Sequence, residues 1–144
     1  MTPKERAEKA AQAMWSTDRA SPWVGMAIDA VDAGTATLSL KVAPHHCNGH
    51  GICHGGVTFA LADSAFAFAC NSRNVSSVAQ HCTITYTAPA HEGDVLTALA
   101  REQHLAGRNG LYDVTVTNQD GVVIAAFRGA SRAIKGHLFD EGDA

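Results

Sequence analysis

From His54 onward the chain is apolar around the whole of a helical cylinder. Val57, Phe59, Leu61, Phe66 and Phe68 lie at every angle about the axis, a pattern that predicts a helix buried in a core rather than lying on a surface. Elsewhere the period is two. Leu38, Leu40 and Val42 alternate with Thr37, Ser39 and Lys41, and Cys82, Ile84 and Tyr86 alternate with His81, Thr83, Thr85 and Thr87. Strands are predicted over 35–42, 80–87, 95–104, 111–117 and 122–133. A further one over 26–31 is joined to the first of these through an Ala33-Gly34 turn. Tyr112, Val114 and Val116 share one face, and Asp120-Gly121 is a hairpin signal.

Before the first strand, residues 3–16 predict a short amphipathic helix. Thr2 and Glu5 suit a capping box, Pro3 suits the first helical position, and Ala7, Ala10, Ala11, Met14 and Trp15 form its apolar stripe. Ser21, Pro22 and Trp23 read as a connection, and the Gly- and His-rich segment 43–53 reads as a loop. The acidic tail 136–144 is expected to fray. The order is helix, two strands, one long buried helix, then four short strands in a meander. One sheet has one face to bury and one helix is available to fill it. The expected fold is therefore α+β, a curved antiparallel sheet wrapped around a central helix, in a single domain spanning 1–144.

Composition narrows the function. A length of 144 residues with 46% hydrophobic content supports one buried core. A net charge of -3, with Lys and Arg scattered, offers no field for nucleic acid. No apolar run is long enough to span a bilayer, and the polar N-terminus lacks the form of a secretory signal, so a cytoplasmic location is expected. Cys47, Cys53, Cys70 and Cys82 include no CxxC pair and read as reduced thiols.

The candidate chemistry sits on the central helix. Asp63 is the only ionisable side chain in the apolar run, and a carboxylate stripped of water at such a place costs several kcal/mol unless it has partners or a purpose. At the helix start, Gly55 and Gly56 present amides with no intrahelical acceptor, where the helix dipole adds positive charge and a ligand oxygen can approach closely. An oxyanion-binding end and a single acid are the two parts needed to attack a carbonyl with water. Asp63 can act by deprotonating water or by attacking directly to give a mixed anhydride.

The run Asn48-x-x-Gly51-x-x-His54-Gly55-Gly56 followed by Leu61-Ala62-Asp63 resembles the signature of hotdog-fold acyl-CoA thioesterases, most closely the phenylacetate-degradation (PaaI-type) branch. The element order is similar to the hotdog fold over roughly 20–134. The resemblance implies an acyl-CoA substrate, aryl-acetyl-CoA in this branch, with no cofactor beyond the coenzyme A of the substrate. It also implies a homodimer, commonly paired into a homotetramer, with sites at the dimer interface. In that scheme the Gly55 N–H polarises the thioester carbonyl and Asp63 reaches in from the facing subunit. Asn48 and His54 orient water or substrate, and Gly56 belongs to the substrate-binding set.

Other readings fit the residues less well. His45, His46, His50 and His54 with Cys47 and Cys53 are zinc-type ligands, but their spacing matches neither HExxH nor a finger, so no metal is expected. His45 and His46 read as exposed loop residues. Gly49-x-Gly51 lacks the third glycine of a dinucleotide loop, and no G-x-S-x-G elbow is present. Arg73, Arg101, Arg108, Arg128 and Arg132 can meet coenzyme A phosphates but read as surface charges. A hydratase or dehydratase acting on 3-hydroxyacyl thioesters, and a non-catalytic acyl-CoA-binding domain, are the competing functions.

Overall fold

The computed structural model describes residues 1–142. Helix α1 (Pro3–Thr17) opens on the predicted capping box, with the Glu5 N–H donating to Thr2 Oγ1 and the Glu5 carboxylate accepting from the Thr2 N–H. The expected connection at 21–23 is instead a short helix, α2 (Ala20–Val24). The Asp18 carboxylate accepts from the Ser21 N–H and hydroxyl, Pro22 tolerates the first turn, and Gly25 ends the helix at φ 103°. Strands β1 (Met26–Asp32) and β2 (Thr35–Lys41) form the expected hairpin, with a register shift between Ile28 and Ala30. Helix α3 (Gly55–Cys70) is followed by β3 (Ser77–Tyr86), β4 (Val95–Ala106), β5 (Asn109–Thr117) and β6 (Val123–Ala133).

All six strands form one antiparallel sheet in the order β1-β2-β4-β5-β6-β3. The expected four-strand meander is therefore only β4 to β6. Strand β3 lies at the far edge on β6, and β2 takes its place beside β4, with Leu38 opposite Ala98 and Leu40 opposite Leu96. Alternation predicts that a segment is a strand and which face is buried. It carries no information about the partner, and the long crossover through α3 delivers β3 to the opposite edge. Strands β3, β4 and β5 are also longer than expected, at 10, 12 and 9 residues.

Helix α3 lies across the concave face of this sheet. Leu61, Ala62, Ala65, Phe66 and Ala69 are buried against Leu38, Leu40, Leu96, Ala98, Tyr112, Val114, Val116 and Phe127. The helix comes close because Gly129 leaves room for the Phe66 ring; a methyl there would stand 2.8 Å from three ring carbons. On the outer side, Trp15 of α1 packs on Phe68 and the Ser21 hydroxyl bonds that of Ser64. One stripe of α3, with Gly56, Ala60, Asp63, Ser64 and Ala67, is not fully covered.

The tail does not fray through residue 141. Asn74, held at φ 63°, accepts at Oδ1 from the Leu138 and Phe139 N–H groups and donates through Nδ2 to the Phe139 carbonyl and the Glu141 carboxylate. Glu141 also pairs with Arg6 of α1. Residues 143–144 of the expected frayed segment lie outside the described residues. The polar tail composition hid this docking, because the anchor is a side chain on a distant turn.

Candidate active site

The segment leading to α3 is more ordered than its loop-like composition suggests. Pro44–His46 makes one 3₁₀ turn, and His46 is buried rather than exposed as expected. Its Nδ1 accepts from the Ala43 N–H (2.9 Å) and its Nε2–H donates to the Val24 carbonyl (2.6 Å), which ties the segment to α2. Asn48 then organises a tight reversal. Its Oδ1 accepts from the His50 N–H (3.0 Å) and more distantly from the Ile52 N–H (3.4 Å), and its backbone carbonyl accepts from Gly51, which sits at φ 77°. The returning strand is fixed on its other side by the Cys53 N–H, which donates to the Ala90 carbonyl (2.8 Å).

His54 caps α3. The Gly56 N–H donates to His54 Nδ1 at 2.8 Å. That bond assigns the hydrogen of the neutral ring to Nε2 and leaves it facing away from the cap. It also consumes the Gly56 amide, so the expectation that both glycine amides are open holds for one only. The Gly55 N–H has no acceptor among the described residues. A hydrogen-bonding side chain at the cap position satisfies the amide two residues on, so the free amide is the one next to it.

Beside that amide is a cavity of about 420 Å³ lined by Asn48, Ile52, Cys53, Gly55, Tyr86 and Ile124 among others. Tyr86, at the end of β3, donates from its hydroxyl to the Gly55 carbonyl (2.8 Å). Its ring lies against the Cα of Gly55 so closely that a methyl there would meet Tyr86 Cζ and Oη at 3.1 Å. The sequence alone did not single out Tyr86. Its alternation with Ile84 and Cys82 predicts a shared face, but only the crossover puts that face against α3.

Asp63 is half-buried on the uncovered stripe, two turns along. Among the described residues no cationic side chain pairs with it. The side chain that reaches it is Cys82 of β3, whose thiol donates to Oδ1 at 3.9 Å. Burial raises the Asp63 carboxyl above the usual carboxylate range, and the Cys82 thiol opposes part of that rise. A raised carboxylate without a cation is basic, which suits proton abstraction. Two of the arginines read as surface charges are committed locally, Arg73 to Glu102 and Arg128 to Asp113. No group of three or more His, Cys, Asp or Glu side chains among the described residues could hold a metal ion.

A helix thus lies in the hollow of an antiparallel sheet, with an open amide at its start and an acid along it that no cation pairs among the described residues. The family described as the thioesterase superfamily matches residues 50–125, and the protein belongs to it. It is 41% identical over 131 residues to the acyl-coenzyme A thioesterase PaaI of Escherichia coli K12, covering 91% of this chain and 94% of that one. The solved structure of the E. coli PaaI protein from the phenylacetic acid degradation operon superposes with a TM-score of 0.93 at 40% identity, covering 94% of this chain and 99% of that one. The TT0310 protein of Thermus thermophilus superposes with a TM-score of 0.78 at 35% identity over 81% of this chain and 98% of that one. The fold is the hotdog fold expected from the motif, and the protein is a thioesterase.

Proposed function

We propose that the protein hydrolyses acyl-CoA thioesters of the aryl-acetyl class to the free acid and coenzyme A. The observation that carries this reading is the Gly55 amide, left without an acceptor among the described residues at the start of α3, beside a cavity whose wall includes Ile52, Pro89, Ala90 and Ile124. The Gly55 N–H polarises the thioester carbonyl, and Asp63 activates water or attacks the carbonyl carbon. The Nε2–H of His54 and the amide nitrogen of Asn48 are donors left to orient substrate or water, and Gly56 acts by locking the cap. Positioned base catalysis contributes about 10²–10⁴-fold and an oxyanion donor about 10²–10³-fold. No cofactor is required beyond the coenzyme A that arrives with the substrate.

The spacing of the two groups supports a homodimer. Gly55 and Asp63 stand eight residues apart on one helix, about 12 Å along its axis. Hydrogen-bonding and attacking groups act from about 3 Å, so one thioester carbon does not meet both within one copy. The uncovered stripe of α3 and the unpaired edge of β3, with Val78 and Tyr86 exposed, leave a surface suited to a second copy that brings its Gly55 to this Asp63. Pairing of two such dimers into a homotetramer is part of the same proposal. None of the described helices is long and apolar enough to cross a membrane. A cytoplasmic location suits a coenzyme A thioester substrate.

The test is thiol release across short, long and aromatic acyl-CoAs. Fastest turnover is expected on aryl-acetyl-CoA, with a sedimentation mass of at least two chains. A monomer that retains full turnover, or a panel without any thiol release, would overturn the proposal.

A further inference from the structure

We propose that Cys47 and Cys53 form a modification site, a dithiol that a low-molecular-weight disulfide of the glutathione class closes into an intramolecular bond across the loop entering α3. The two residues face each other in an antiparallel bridge. The flanking bonds, from the Asn48 N–H to the Ile52 carbonyl and from the His54 N–H to the His46 carbonyl, both 2.8 Å, make them a non-hydrogen-bonded pair. Residues so placed have Cα atoms roughly 4.5 Å apart with side chains on the same face, inside the roughly 4.4–6.8 Å span of a disulfide. The backbone under both is braced, by His46 on Val24 and by the Cys53 N–H on Ala90.

Both thiols are free, and each rests on weak acceptors that a side-chain rotation releases. Cys47 Sγ lies 3.8 Å from the Ala43 carbonyl, and Cys53 Sγ lies 3.7 Å from the His54 carbonyl and 3.8 Å from Thr58 Oγ1. Cys47 is the more exposed and reacts first. Its thiolate attacks oxidised glutathione, forming Cys47–S–SG and releasing one glutathione thiolate. The Cys53 thiolate, formed less readily because burial raises that thiol, then attacks the Cys47 sulfur and releases the second. Two protons leave the protein thiols and two molecules of reduced glutathione result, so oxidant and protein exchange two electrons. The other two cysteines are set apart: Cys70 is buried with its thiol pushed up to about 12, and Cys82 faces Asp63 from β3.

The bond would enclose the Asn48 turn and draw Cys53 away from the first turn of α3, at the wall of the cavity beside Gly55. Its effect on turnover rests on the proposed function; its formation does not.

The experiment treats reduced protein with oxidised glutathione, blocks remaining thiols by alkylation, digests and maps the peptides. Expected are a Cys47–Cys53 cross-link with Cys70 and Cys82 alkylated, reversal by dithiothreitol, and arrest of Cys53→Ser at a mixed disulfide on Cys47. Turnover is expected to fall about tenfold on oxidation through displacement of the helix entry, with Cys47→Ser insensitive. Recovery of both thiols alkylated, or a bond to Cys70 or Cys82 instead, overturns the dithiol. A mapped bond with unchanged turnover overturns its action on the site. A bond in a protein that hydrolyses no thioester supports the dithiol and counts against the proposed function alone.

Discussion

Replacing Gly55 with alanine tests the helix start most directly. The residue is not at positive φ, so the backbone accepts alanine without strain, and the exchange removes a glycine from a helix at a gain of up to about 1 kcal/mol. Against this, the new methyl meets the Tyr86 ring at 3.1 Å. Tyr86 is half exposed on an edge strand and can yield by a few tenths of an ångström, at the expense of its 2.8 Å bond to the Gly55 carbonyl, worth about 1 kcal/mol. The two terms nearly cancel, so the melting temperature is expected to move by only about 3 °C either way. Activity is not protected by that cancellation. The amide remains but is re-aimed and its approach narrowed, so kcat/KM on the best acyl-CoA is expected to fall about 10–100-fold, short of the 10²–10³-fold for losing a donor outright. Steady-state thiol release and a thermal melt measure both quantities. The same exchange in a Tyr86→Ala background removes the clash and is expected to cost less than in the parent. Unchanged kcat/KM in the single variant, or an equal loss in both backgrounds, refutes the reasoning.

Three further outcomes follow from the same contacts. Asp63→Asn keeps the fold and loses about 10²–10⁴-fold in kcat. Because the Asp63 carboxyl is raised in the folded state, its contribution to stability is present below the unfolded value and lost as pH rises through the folded one. Asp63→Asn should therefore melt higher than the parent at pH 7 and converge with it in acid; a lower melting temperature at pH 7 contradicts the burial argument. In kcat/KM against pH, activity falls as acid protonates Asp63, with a midpoint above an ordinary aspartate. Cys82→Ala moves that limb to higher pH by removing the opposing thiol, and Cys82→Ser returns it; an unmoved limb means that the 3.9 Å contact has no effect on the acid. Asn74→Gly preserves the positive φ but deletes four hydrogen bonds to the tail. It should lower stability by about 1–3 kcal/mol and expose the tail to protease while turnover at 25 °C is retained.

Much of this was legible in the sequence because it is local. The all-apolar run starting at Gly55, the capping box of Thr2 and Glu5 and the hairpin about Gly34 each follow from neighbours within a few residues. The motif from Asn48 to Asp63 likewise brought the candidate site into view. What stayed hidden depends on partners far along the chain. Tyr86 and Cys82 face α3 only because β3 crosses to β6, and His46 is buried only because the Val24 carbonyl stands beside it. Gly56 was misjudged for a different reason. Histidine is not among the usual capping residues, and its use of Nδ1 to take that amide is a matter of ring orientation that residue identity does not specify.

The edge position of β3 also orders events during synthesis. Its partner strand β6 emerges only after residues 87–122 have been made, so a nascent chain carries the polar, half-finished β3 for the whole of that interval with nothing to zip onto. Until Ala125 and Gly129, which pair with Tyr86 and Cys82, have cleared the ribosome, neither side chain is anchored opposite the helix, and truncation before Ala125 leaves a protein whose hydrophobic helix is cradled on one flank only.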